Sequence, residues 1–124
     1  MADHPPPLAS VTYLGHASLL VEMDGARLLT DPVFRPRIYH LRRTSPSPDA
    51  SLYRDVDAVL ISHLHYDHLD IPTLQALGEA PQIYVPSGAG DLMQRQGFPR
   101  VKEISLGEVF NIGRVKVQAV PAYH

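Results

Sequence analysis

The sequence predicts an α/β fold, and three observations carry that expectation. Strand-like runs near the N-terminus flank an Asp24-Gly25 turn signal, Ala58–Ile61 is apolar throughout, and the stretch from Ala58 to Ile104 alternates strand and helix patterns. Strands alternating with short helices in a chain of this size call for a sheet with crossover helices. With 124 residues and 44% apolar content the chain forms one domain with a modest core.

Residues 1–8, with Pro5-Pro6-Pro7, form a solvated lead-in, and the domain proper spans 9–124. Val11–Leu14, Ser18–Met23 and Ala26–Thr30 are predicted strands, the second showing clear alternation. Asp24-Gly25 between the latter two suits a tight hairpin turn, since both residue types tolerate positive φ. From Asp31 to Asp57 the prolines at 32, 36, 46 and 48 break any periodicity and predict a long surface connection. Ala58–Ile61, apolar at every position, is expected to be covered on both faces.

Asp70 is placed to cap a short helix over Ile71–Leu77, ended by Gly78. Gln82–Val85 is the next strand, Ala89–Gln96 a helix stopped at Gly97, and Val101–Ile104 a strand again. Glu108–Ile112 and Arg114–Val120 flank Gly113 as a hairpin, with Val115, Val117 and Ala119 on one face of its second strand.

Chemistry concentrates in Ser62-His63-Leu64-His65-Tyr66-Asp67-His68, directly after the apolar strand. Imidazole and carboxylate are preferred ligands of Zn²⁺ and its neighbours. Extended backbone turns residues two apart to the same side, so His63 and His65 reach one ion, and Asp67 and His68 reach a second. The bland alternative, histidines decorating a loop, explains neither the buried strand before the run nor the helix start after it. The absence of cysteine removes thiolate ligands and disulfides alike.

The run resembles the His-x-His-x-Asp-His motif of the metallo-β-lactamase superfamily. Val11–Phe34, with Gly15-His16 and Thr30-Asp31-Pro32, is similar to the opening of the branch that contains the N-acylphosphatidylethanolamine phospholipase D enzymes and the ascorbate-6-phosphate lactonases. Val120-Pro121-Ala122-Tyr123-His124 resembles the strand end that delivers the family's third histidine. The resemblance implies the N-terminal half of an αββα sandwich: a mixed β-sheet with helices on one face, whose other face packs against a second sheet and would here be exposed. Two further family ligands, a bridging aspartate and a final histidine, would fall beyond residue 124.

Under that resemblance His63, His65 and His124 hold one Zn²⁺ with a position left for water. Asp67 and His68 hold a second ion more weakly, and Mn²⁺ or Fe²⁺ are alternative metals. Zinc lowers the pKa of bound water from 15.7 to about 7, so a hydroxide nucleophile exists at neutral pH, and Asp67 is placed to orient it. Asp31 would support the histidines without touching metal, against the plain reading of an Asp-Pro turn. His16 and Tyr66 are candidates for the substrate mouth.

Arg35, Arg37, Arg42 and Arg43 suit phosphate contact, or equally a soluble charged loop. Tyr39 and Tyr123 suit simple packing, and His4 and His40 have no neighbouring donors in sequence.

The function expected is zinc-dependent hydrolysis of a small-molecule phosphodiester, phosphate-bearing lactone or related ester. A different class of reading is an incomplete half-domain that associates with a complementary half or with itself. A nuclease is disfavoured by the net charge of −2, which gives no field for tracking phosphates, so no nucleic-acid partner is expected. No membrane span or basic-apolar leader is visible, which argues against a periplasmic β-lactamase and points to the cytoplasm.

Overall fold

The computed structural model describes residues 9–15, 18–32, 37–38, 41–42, 55–62 and 70–121. Six strands form one mixed sheet: β1 (Ala9–Gly15), β2 (Ser18–Met23), β3 (Ala26–Thr30), β6 (Ala58–Leu60), β7 (Gln82–Pro86) and β8 (Val101–Ile104), side by side in that order. β1, β2 and β3 run antiparallel, whereas β3, β6, β7 and β8 are parallel to one another. The predicted turn is present. Asp24 and Gly25 both take positive φ, 49° and 82°, the geometry that lets two strands of native twist join through two residues.

β6 follows the long connection and must still find β3. Asp57 supplies the fixture. Its carboxylate accepts the Arg27 N–H (2.7 Å), its own N–H donates to the Arg27 carbonyl (2.8 Å), and its carbonyl accepts the Gln82 N–H (3.3 Å). One residue therefore sets the register of β6 against both neighbours. The connection itself departs from expectation, because Arg37–Ile38 (β4) and Leu41–Arg42 (β5) pair as a two-stranded antiparallel ladder. Pairs of two residues carry no periodicity that a sequence reading could detect.

Helix α1 (Ile71–Ala76) joins β6 to β7, and α2 (Gly90–Arg95) joins β7 to β8. Each ends within a residue or two of its predicted limit. Both lie on the same face of the sheet, where Leu74 of α1 and Met93 of α2 bury against Leu20, Leu29, Val59 and Ile83. Those four sheet residues are partners in register across β2, β3, β6 and β7, so they form one continuous row under the helices. Pleating then sends Ala58 and Leu60 to the opposite face.

That opposite face was expected to lie open, and its centre is covered. β9 (Val109–Ile112) and β10 (Val115–Gln118) form a separate antiparallel hairpin, which packs Ile112 and Val115 onto Ala26, Leu28 and Ala58. Tyr84 from β7 stacks on Phe110 from β9, with ring centroids 4.4 Å apart and planes 27° from parallel. An offset aromatic pair of this kind ties the hairpin to the sheet. Further out, Val11 and Tyr13 of edge strand β1 remain exposed. Among the described residues no helix is long and apolar enough to cross a membrane.

Candidate functional site

In sheets with parallel strands, ligand sites form beyond the carboxyl ends of those strands, where the connections leave. Here the carboxyl ends of β3, β6, β7 and β8 form one wall of a cleft of about 780 Å³, and the β9–β10 hairpin with residues 119–121 forms the other. Most of the lining is apolar: Leu60, Tyr84, Val85, Ile104, Phe110 and Val117 among others. Polar side chains group at the ends of β3 and β6, in Thr30, Asp31 and Ser62, with Gln118 of β10 on the opposite wall. An apolar recess with a few grouped polar atoms is the ordinary form of a small-molecule site.

Asp31 is the most constrained residue in the wall. It is only 6% exposed, and its φ of 40° places it in the left-handed region, which a residue with a Cβ adopts at some cost. Four hydrogen bonds hold it there. Its N–H donates to the Leu60 carbonyl (2.9 Å), and its carbonyl accepts the buried Ser18 hydroxyl (2.8 Å). Its two carboxylate oxygens accept the Ser62 N–H (2.7 Å) and the Ser62 hydroxyl (2.6 Å). Hydrogen bonds to an ionised acceptor are the stronger kind, and this pair engages both oxygens with one residue.

Ser62 immediately precedes His63, so the Asp31 carboxylate holds the residue that leads into the histidine run. The sequence reading singled out Asp31 without its hydrogen-bond partners Ser62 and Ser18. A serine directly before the first histidine was the available signal. His63, His65, Tyr66, Asp67 and His68 themselves lie outside the described residues, as do His16, His124 and the lead-in 1–8. Arg35, Arg43, Tyr39, His40 and Tyr123 also fall outside them, whereas Arg37 and Arg42 are register partners in the β4–β5 ladder. Among the described residues no three His, Asp or Glu side chains gather as a metal-binding group.

Past the run, Asp70 corrects an expectation. It occupies the N-cap position of α1 with extended backbone, yet its side chain makes no capping bond to a backbone N–H. The carboxylate instead accepts the Thr73 hydroxyl inside the protein. Tyr84 also faces the cleft. Burial raises its phenol pKa, and the nearby Arg100 charge partly opposes that.

Comparison with known proteins follows the same outline. The N-acyl-phosphatidylethanolamine-hydrolyzing phospholipase D 1 of Caenorhabditis elegans is 34% identical, over 91% of this chain and 37% of its own length. A metal-dependent hydrolase of Methanopyrus kandleri is 32% identical, over 92% of this chain and 46% of its own. CmlA, a diiron β-hydroxylase from Streptomyces venezuelae, superposes with a TM-score of 0.76 at 28% identity, over 94% of this chain and 24% of its own. The chain thus spans between about a quarter and a half of the length of the curated relatives it matches. Residues 26–124 match the description of a beta-lactamase superfamily domain, and with the mixed sheet, the helices on one face and these relatives, the chain belongs to that superfamily as its N-terminal half.

Proposed function

We propose that this chain carries the metal-binding half of a hydrolase that cleaves a phosphodiester, a phosphate-bearing lactone or a related ester. The observation that carries the reading is the Asp31 carboxylate, fixed by both oxygens to Ser62 on the cleft wall at the residue before His63. The donor set fits a divalent cation, being imidazole and carboxylate without thiolate. His63, His65 and His124 would hold a first ion, and Asp67 with His68 a second. When bound, such an ion supplies a water acidic enough to act as nucleophile near neutral pH.

The chain's own residues do the rest. Asp67 would orient the attacking water. His16 and Tyr66 are the residues assigned to the mouth in this proposal, and the apolar walls from Val85 and Phe110 would seat the substrate and exclude bulk water. Zinc is the metal proposed, with Mn²⁺ and Fe²⁺ as competitors. The diiron hydroxylase among the structural relatives is the reason to measure rather than assume it.

The test uses the protein at its natural length. Metal content after dialysis should show bound zinc, with metal-dependent release of nitrophenolate from bis(p-nitrophenyl) phosphate. His63→Ala and His65→Ala should lose both. Unchanged zinc in the two variants would remove the site assignment.

A second reading, association of this half with a complementary half-domain or another copy, is favoured by one observation. Leu106 and Val120, at the rim of the cleft beside the hairpin, are 73% and 66% exposed. Apolar side chains grouped at that rim are suited to cover by a further layer.

A further inference from the structure

The seven residues 63–69 are bracketed by two carboxylates that the fold removes from water. Asp31 acts at the start, through Ser62. At the end stands Asp70, 2% exposed, two residues beyond His68.

A helix cap does not account for that burial. An N-cap carboxylate works by accepting a backbone N–H from the first turn, and an exposed side chain does this well. The Asp70 side chain accepts no such N–H. It accepts the hydroxyl of Thr73, itself 4% exposed, while the Asp70 carbonyl takes the Leu74 N–H at 3.1 Å. Leu74 is buried to 1% exposure in the helix-side core. Both the backbone and the side chain of Asp70 are therefore moored to α1, and α1 is moored to the sheet. Burying a carboxylate is costly unless hydrogen bonds offset it, a cost that an exposed cap would not meet.

We propose that Asp70 is a positioning residue for the metal-binding run: through Thr73 it fixes where the run ends, as Asp31 through Ser62 fixes where it begins. This inference rests on the assignment of His63–His68 as the metal site. A segment tethered at one end spreads its ligands over many positions, and ligand geometry must be held within a fraction of an ångström for tight binding. In this proposal an anchor at each end, Asp31–Ser62 just past β6 and Asp70–Thr73 on α1, restricts that freedom.

The experiment uses the natural-length protein. Co²⁺ and Zn²⁺ affinities are measured by competition with a chromophoric chelator, together with the Co²⁺ absorption spectrum, for Asp70→Ala, Thr73→Val and Thr73→Ser. Asp31→Asn and His63→Ala serve as references. Asp70→Ala and Thr73→Val should weaken metal binding by about tenfold or more, within the 10–100-fold range seen when a ligand's support is lost. Both should alter the Co²⁺ spectrum, whereas Thr73→Ser, which keeps the hydroxyl, should restore parent affinity and spectrum.

Parent affinity and spectrum in both Asp70→Ala and Thr73→Val, with metal lost in His63→Ala, would overturn the inference while leaving the metal site intact. Metal retained in His63→Ala would instead overturn the site assignment itself. Should Asp70→Ala not fold, the Thr73 pair decides. Equal behaviour of the Val and Ser variants, or a lowered melting temperature with an unchanged spectrum, would reduce Asp70 to a packing role.

Discussion

The two faces of the six-stranded sheet are finished to different degrees. On one, α1 and α2 close over a row of residues in register, and Leu29, Val59, Leu74 and Met93 lie wholly or almost wholly out of water. On the other, a single hairpin covers the centre and leaves edge residues such as Val11 and Tyr13 in solvent. The difference separates two tasks. Stability comes from the helix face, while the hairpin face and its cleft keep the access that binding requires.

Truncation on the two faces should separate them most strongly. Leu29→Ala removes a buried side chain from the centre of the helix-side row and is expected to cost about 3–5 kcal/mol. Ile112→Ala, under the hairpin, is expected to cost about 2 kcal/mol, because the thinner layer relaxes around the gap more readily. Urea denaturation of both variants checks this, and equal losses would show that the hairpin is as integral as the helices.

A smaller effect is expected at the rim. Leu106→Ser with Val120→Ser should change stability by less than about 0.5 kcal/mol while reducing any self-association seen by light scattering. Unchanged mass would remove the rim from the association reading.

The smallest effect should come from Tyr84, which stacks between the sheet and the hairpin. Its pKa is raised in the fold chiefly by burial, so the folded state favours the neutral phenol. Stability from this group is complete below its ordinary value near 10 and declines as the pH rises from about 10 through the raised value. Tyr84→Phe keeps the ring and should flatten that alkaline decline in denaturation midpoints measured from about pH 9 to pH 11. A slope equal to the parent's would place the alkaline sensitivity elsewhere.

What the sequence made legible was local. Asp24-Gly25 specified its turn because the two residue types tolerate the φ values that the hairpin demands. The apolar run before the histidines was recognisable as a central strand, and Val115 and Val117 alternate inward as their spacing indicated. Asp31 stood out in the sequence beside Pro32, but its bonds to Ser62 join positions 31 apart in the chain, and no local pattern encodes that meeting. Asp70 shows the same divide in reverse. Its place before a helix suggests a cap, whereas its burial is decided by how α1 docks on the sheet. The covering hairpin was legible as a hairpin and not as a cover, because the Tyr84–Phe110 stack that docks it pairs residues from separate sheets.

The parallel pairing of β6 with β3 also sets an order of assembly. β1, β2 and β3 are joined by short links and close at small entropic cost, so they can pair early. β6 has to return across the whole proline-rich connection before Leu28 meets Ala58, and contacts so distant in sequence form late and slowly. Asp31 waits on the early side of that gap and Ser62 arrives on the late side. The pocket's anchor is thus assembled by the step that commits the chain to its native topology, and a nascent chain that has made only its first hairpins has not yet fixed the residue before His63.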